Sequence, residues 1–150
     1  MGASGWKYVV PYQEDLAAAL DALQRQVFAD GDYLSPAEKG YPEPASVEDL
    51  LSERYEYFIE TYGTHSILDM IEVVPAGDTR QEPGTIRPLM PAEAQKLFDT
   101  TEPGHSDYVR LADSFLPYKY VTAGRGTGRV VTLWEDGVPT ELFFWGYSGD

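Results

Sequence analysis

The chain has 150 residues, 43 % of them hydrophobic, and carries 25 Asp and Glu against 11 Lys and Arg for a formal charge of −14. That length suits a single domain spanning 1–150 with a sizeable core, and the apolar content speaks against disorder. The acidity argues against nucleic acid, whose binders need Lys and Arg to displace condensed counterions, and against anionic lipid surfaces.

No apolar run approaches the ~20 residues needed to span a bilayer. Residues 1–5 lack the basic stretch and apolar run of a signal peptide and read as a flexible lead or a cloning remnant. Met1-Gly2 opens like a myristoylation signal, but Trp6 stands where that signal needs Ser or Thr. Without cysteine, disulfides, thiol catalysis and Cys-based zinc sites are out of reach. A cytoplasmic location is the expectation, and no motif implies a cofactor.

Residues 6–12 (WKYVVPY) are aromatic and β-branched and predict a strand, with Pro11 favouring its end or a sheet edge. Residues 14–30 predict a helix: Leu16, Leu20, Leu23, Val27 and Phe28 share a face, and Gly31 is a good stop. Residues 32–45 hold three prolines and read as loop. Ser46 caps a second helix, with Asp49 three residues on as a shortened capping box. Val47, Leu50, Leu51, Phe58 and Tyr62 form its apolar stripe, and Gly63 ends it. Residues 66–74 (SILDMIEVV) predict a strand closed by Pro75, and 78–84 a loop. Pro91 opens a short helix to Phe98. Ser106 caps another that buries Tyr108, Leu111, Ala112 and Phe115 and stops at Pro117.

Residues 129–135 and 138–147 around Asp136-Gly137 predict a β-hairpin with a type I′ turn. In that register Leu133 faces Thr140 and Val131 faces Leu142, on one side with Phe144. Val130, Trp134, Phe143 and Trp145 take the other side. Both sides are apolar, so helices cover both, or one aromatic side is a binding surface. The first arrangement is favoured. The order β-α-α-β-α-α-β-β indicates an α+β fold: about four strands in a mostly antiparallel sheet, with about four helices. A parallel pair between 6–12 and 66–74 would make the sheet mixed.

The acidity is organised. Residues 30–60 hold nine acids and two bases, a local charge of −7. Within them Asp49, Glu53, Glu56 and Glu60 are spaced 4, 3 and 4, which places four carboxylates on one face of a continuous helix. Tyr33, Tyr41, Tyr55 and Tyr57 are interleaved with them, and aromatics among acids suit a basic, partly apolar partner. The leading expectation is a non-catalytic interaction protein that binds a basic protein through Asp49, Glu53, Glu56, Glu60 and Tyr57, as an immunity protein, antitoxin or inhibitor does. A monomer or weak dimer is expected.

The alternative is a small-molecule-binding protein or small enzyme, with Trp134, Phe143 and Trp145 as pocket walls and His65, His105, Arg125 and Arg129 as polar groups. A third reading makes the aromatic face an oligomer seam, against which the charge weighs. The glycine loop 124–129 precedes a strand and lacks the Lys-Ser/Thr of a P-loop, so it reads as a connection. His65, Asp69 and Glu72 offer metal-type donors, but on a strand Asp69 and Glu72 face opposite sides. No nucleophile–base pair is recognisable.

Overall fold

The computed structural model describes residues 4–78, 80, 82–112 and 125–148. Strand β1 is Gly5–Pro11, starting one residue earlier than expected. Helix α1 is Leu16–Asp30. The Asp15 carboxylate accepts the Ala18 N–H, and Gly31 closes the helix in the left-handed region at φ 68. Its buried face is Ala19, Leu20, Leu23, Gln24 and Val27. The amide of Gln24 donates to the Ile67 and Met70 carbonyls, which explains a polar residue on that face.

The expected helix over 46–62 is broken. It forms α2 (Val47–Leu50), a 3-10 turn (Glu53–Tyr55) and α3 (Glu56–Thr61). Ser52 is the cause: its backbone is extended at ψ 167, and its hydroxyl donates to the Asp49 carbonyl at 2.5 Å. A serine that takes up a helical carbonyl offers the chain an exit from the helix.

Segment 66–74 is likewise not one strand. The Ser66 hydroxyl oxygen accepts the Leu68 N–H and caps a 3-10 turn at Ile67–Asp69, leaving only β2 (Glu72–Val73) extended. A strand missed in the sequence, β3 (Thr85–Pro88), follows. Its four residues end in proline and are too short to show a period. Helix α4 (Pro91–Phe98) is as expected. Helix α5 (His105–Ala112) starts one residue before Ser106, with the Asp107 carboxylate accepting the Gly104 N–H. Phe115, Pro117, Tyr118, Tyr120 and Gly124 lie outside the described residues.

Strands β4 (Gly128–Glu135) and β5 (Val138–Tyr147) form the hairpin, with Asp136 and Gly137 at φ 51 and 75 as a type I′ turn requires. The fold is α+β, but the sheet has five strands in the order β1-β5-β4-β3-β2 and is mixed. β1–β5 and β4–β5 are antiparallel; β2–β3 and β3–β4 are parallel. The segment 66–74 therefore pairs with β3, not with β1.

The hairpin register also differs. Trp134 faces Pro139, but Leu133 faces Glu141 and Val131 faces Phe143, because a bulge falls between Leu133 and Trp134. The slip re-sorts the faces. Val130, Leu142 and Phe144 join the core under α1; Val131, Leu133, Phe143 and Trp145 join a second core under α4 and α5. Phe143 and Trp145 are 1 % and 0 % exposed, so helices do cover both sides.

Trp6 locks β1 onto the hairpin. Its indole lies over Gly146 and Gly128: a Cβ on Gly146 would fall 2.5 Å from Trp6 Cζ2 and from the Thr127 carbonyl, and one on Gly128 2.9 Å from Trp6 Cη2. Gly146→Ala is expected to cost about 3 kcal/mol by overpacking against backbone and ring. Gly31→Ala, which meets only open space, is expected to cost about 1–2 kcal/mol for its left-handed backbone alone. Urea denaturation of the two variants beside wild type checks both the size and the order.

Candidate protein-docking site

The break at Ser52 shapes the acidic surface. Glu53 opens the 3-10 turn, and Glu56 and Glu60 stand one helical turn apart on α3. All three are exposed, and among the described residues no hydrogen bond or ion pair engages their carboxylates. Asp49 does not join them. Its carboxylate turns back to accept the Ala45 N–H at 2.9 Å and lies 3.7 Å from Arg54, with its side chain 22 % exposed. It serves the start of α2, so the ridge of four carboxylates becomes a group of three. Tyr57 projects from α3 beside them, 68 % exposed.

These carboxylates rim an apolar trough. One depression of about 410 Å³ runs along Glu53, Glu56 and Glu60, and another of about 460 Å³ continues past Pro83 to Arg125. They share Ile59, Glu60, Asp69 and Ile71, so they are one continuous feature. Ile71 is 79 % exposed and Leu51 45 %. Full burial of such a side chain would gain about 1.5–3 kcal/mol, which is not realised among the described residues. Apolar patches rimmed by polar residues mark interaction surfaces. The position of Ile71 is held: its N–H donates to the Gly84 carbonyl at 2.7 Å. Gly84 lies beneath the Ile71 side chain with φ +90, a backbone conformation that favours glycine.

Asp69 lies in both depressions. Its Oδ1 accepts the Thr64 N–H and its Oδ2 accepts the Ser148 hydroxyl, each at 2.6 Å. This carboxylate ties the turn after α3 to the C-terminal end of β5. Burial pushes its carboxyl above the ordinary aspartate value, because desolvation outweighs the hydrogen bonds and the nearby His65. Burial also pushes the neighbouring Tyr8 phenol up to about 12.

The residues of the alternative ligand pocket do not converge. Phe143 and Trp145 are sealed in the second core. Arg129, 2 % exposed, faces Trp145 across the hairpin and Arg87 across β3. Desolvation and the Arg87 charge hold its guanidinium down at about 10. Arg87 itself takes Glu93 in a two-pronged pair at 2.6 and 2.7 Å. His65 sits in a left-handed turn at φ 58, with Nε2 3.1 Å from the Tyr62 carbonyl. Arg125 reaches the trough instead.

His105 and Trp134 share a depression of about 360 Å³ with Glu141. There His105 Nδ1 donates to Glu141 Oε1 at 2.7 Å. The bulge brings Glu141 opposite Leu133 and under α5, and nothing in the spacing announces that. Asp69 and Ile71 were missed as docking residues for a related reason: they were assigned to a regular strand. Among the described residues, no three or more His, Asp or Glu side chains converge as metal ligands would.

Compared with protein-family models, curated proteins and solved structures, the chain matches none. The functional reading therefore rests on geometry.

The Asp69 carboxyl gives a pH test. Its folded form holds a proton more tightly than the unfolded form, so the native state binds more protons in the window above pH 3.8. Stability contributed by this group is present below that window and is lost as pH rises through it. Asp69→Asn keeps an acceptor for Thr64 and a donor for Ser148. It is expected to stay within about 1 kcal/mol of wild type at neutral pH. Relative to this variant, wild type should lose stability as pH rises. Urea titrations of both proteins across the acidic range measure this, and parallel curves would show that Asp69 is not a desolvated acid.

Proposed function

We propose that this chain is a non-catalytic docking protein whose acidic trough receives a basic protein partner, in the manner of an immunity protein, antitoxin or inhibitor. The observation that carries the reading is the open pair Leu51 and Ile71 beside Glu53, Glu56 and Glu60, with none of these carboxylates neutralised within the described chain. Apolar anchors supply affinity when a partner covers them, while rim charges steer the encounter and reject acidic competitors. A formal charge of −14 adds a long-range pull on any basic partner. No helix among the described residues is long and apolar enough to cross a membrane.

A second reading, small-molecule binding, is supported by the His105–Glu141 pair beside Trp134. A carboxylate that fixes an imidazole leaves Nε2 as a proton acceptor, and an indole gives a ligand a stacking surface.

The docking reading is tested with the natural partner. Wild type and a Glu53→Lys/Glu56→Lys/Glu60→Lys variant serve as parallel baits in extract of the source cells, and the captured protein is then purified and titrated. The expected partner is basic, and the expected loss is about 100-fold or more for the charge-reversed variant, steepest at low salt. Ile71→Asp should cost about tenfold. Asp49→Ala, which removes the acceptor for the Ala45 N–H, should lose about 1 kcal/mol of stability yet bind normally. Equal affinity of wild type and the charge-reversed protein for the captured partner would sink the proposal.

A further inference from the structure

The rim carboxylates account for attraction to a basic surface, but not for an acid at the junction of the two depressions. Each Asp69 oxygen accepts a hydrogen bond, from the Thr64 N–H and from the Ser148 hydroxyl. The Thr64 side chain is a third hydrogen-bond partner, and since a carboxylate has about four acceptor directions, one stays open. Ile59, Ile71 and Glu60 line both depressions with it. The arrangement has the requirements of an arginine site: apolar walls for the methylene stem and a carboxylate with an open acceptor direction for one guanidinium N–H. Lysine fits less well, since its compact ammonium is more strongly hydrated.

We infer that the partner's central anchor is a single arginine side chain seated between Ile59 and Ile71 with its guanidinium on Asp69. This rests on the docking reading and names the group at its centre. Asp69 is already desolvated by the fold, so its attraction for a cation is less screened than that of the exposed rim acids. The groups facing Asp69 are Thr64, His65 and Ser148, with Tyr8 from β1 and Glu60 and Arg125 along the trough. Arginine binding favours the ionised form of Asp69, so at acid pH complex formation should release a proton to solvent.

The probe is a synthetic ten-residue amphipathic peptide of leucine and arginine, beside the same peptide with its central arginine replaced by the neutral isostere citrulline. Isothermal titration in two buffers of different ionisation enthalpy, from pH about 4 to about 7, gives affinity and protons released together. Citrulline and Asp69→Asn are each expected to weaken binding about tenfold, and combining them should add little further loss. Part of the proton release should vanish in Asp69→Asn and persist in Glu60→Gln.

Weakening by Glu53→Gln/Glu56→Gln/Glu60→Gln, with Asp69→Asn and citrulline both neutral, would overturn the arginine site and leave the docking reading standing. If Asp69 merely ties Thr64 to Ser148, affinity and proton release stay unchanged in Asp69→Asn, which overturns the inference equally. Absence of binding, or binding indifferent to every carboxylate, would overturn the docking reading and this inference with it.

Discussion

The β4–β5 hairpin is apolar on both faces, and a sheet of that kind cannot leave either face in water. Val130, Leu142 and Phe144 demand one cover, and Val131, Leu133, Phe143 and Trp145 demand another. Helix α1 answers the first; α4 and α5 answer the second. Edge protection follows the same logic. β1 pairs with Glu141–Tyr147 of β5 and is held by Trp6 lying over Gly128 and Gly146. The short parallel strands β3 and β2 extend the sheet from the other side of the hairpin. Two separate cores on one sheet are the consequence of one hairpin that has no polar side.

The acidic trough is what remains at the margin of that arrangement. Once α1 is committed to the first core, the broken segment α2, 3-10 turn and α3 packs at its flank through Leu50, Tyr55 and Phe58, each fully buried. The opposite sides of the same turns carry Glu53, Glu56 and Glu60 into solvent. Exposed carboxylates cost little in water and contribute little to folding, so they are free to act on a partner. Leu51 and Ile71 are different, because open apolar surface is a forgone gain. The proposed docking reading rests on that combination.

Much of the fold was legible where a local pattern and a local signal agreed. The apolar stripe of α1 and Gly31 point to the same helix, and the structure has it, starting at Leu16 after the Asp15 cap and so two residues later than expected. Asp136-Gly137 between two apolar runs specifies the hairpin for a similar reason. Reading failed where a side chain competed with the backbone ladder. Ser52 takes the Asp49 carbonyl and breaks a helix that the apolar stripe alone would continue. Ser66 caps a turn inside what reads as a strand. β3 has too few residues to display a period, and a bulge of one residue moved every hairpin pair beyond it. For the candidate site, Glu53, Glu56 and Glu60 were legible because their spacing survives the break, whereas Asp49 was lost to it.

By itself the sequence determined the acidity, the α+β class, the first helix, the hairpin and the concentration of carboxylates in residues 30–60. These follow from composition and from near-neighbour spacing, which the chain carries locally. Only the tertiary structure decided that Phe143 and Trp145 are core, that Asp69 ties Thr64 to Ser148, and that Ile71 lies open beside Glu60. Each of these depends on contacts between segments far apart in the chain. Whether an apolar side chain is covered is settled by what the rest of the molecule has left to cover it, and no local pattern records that.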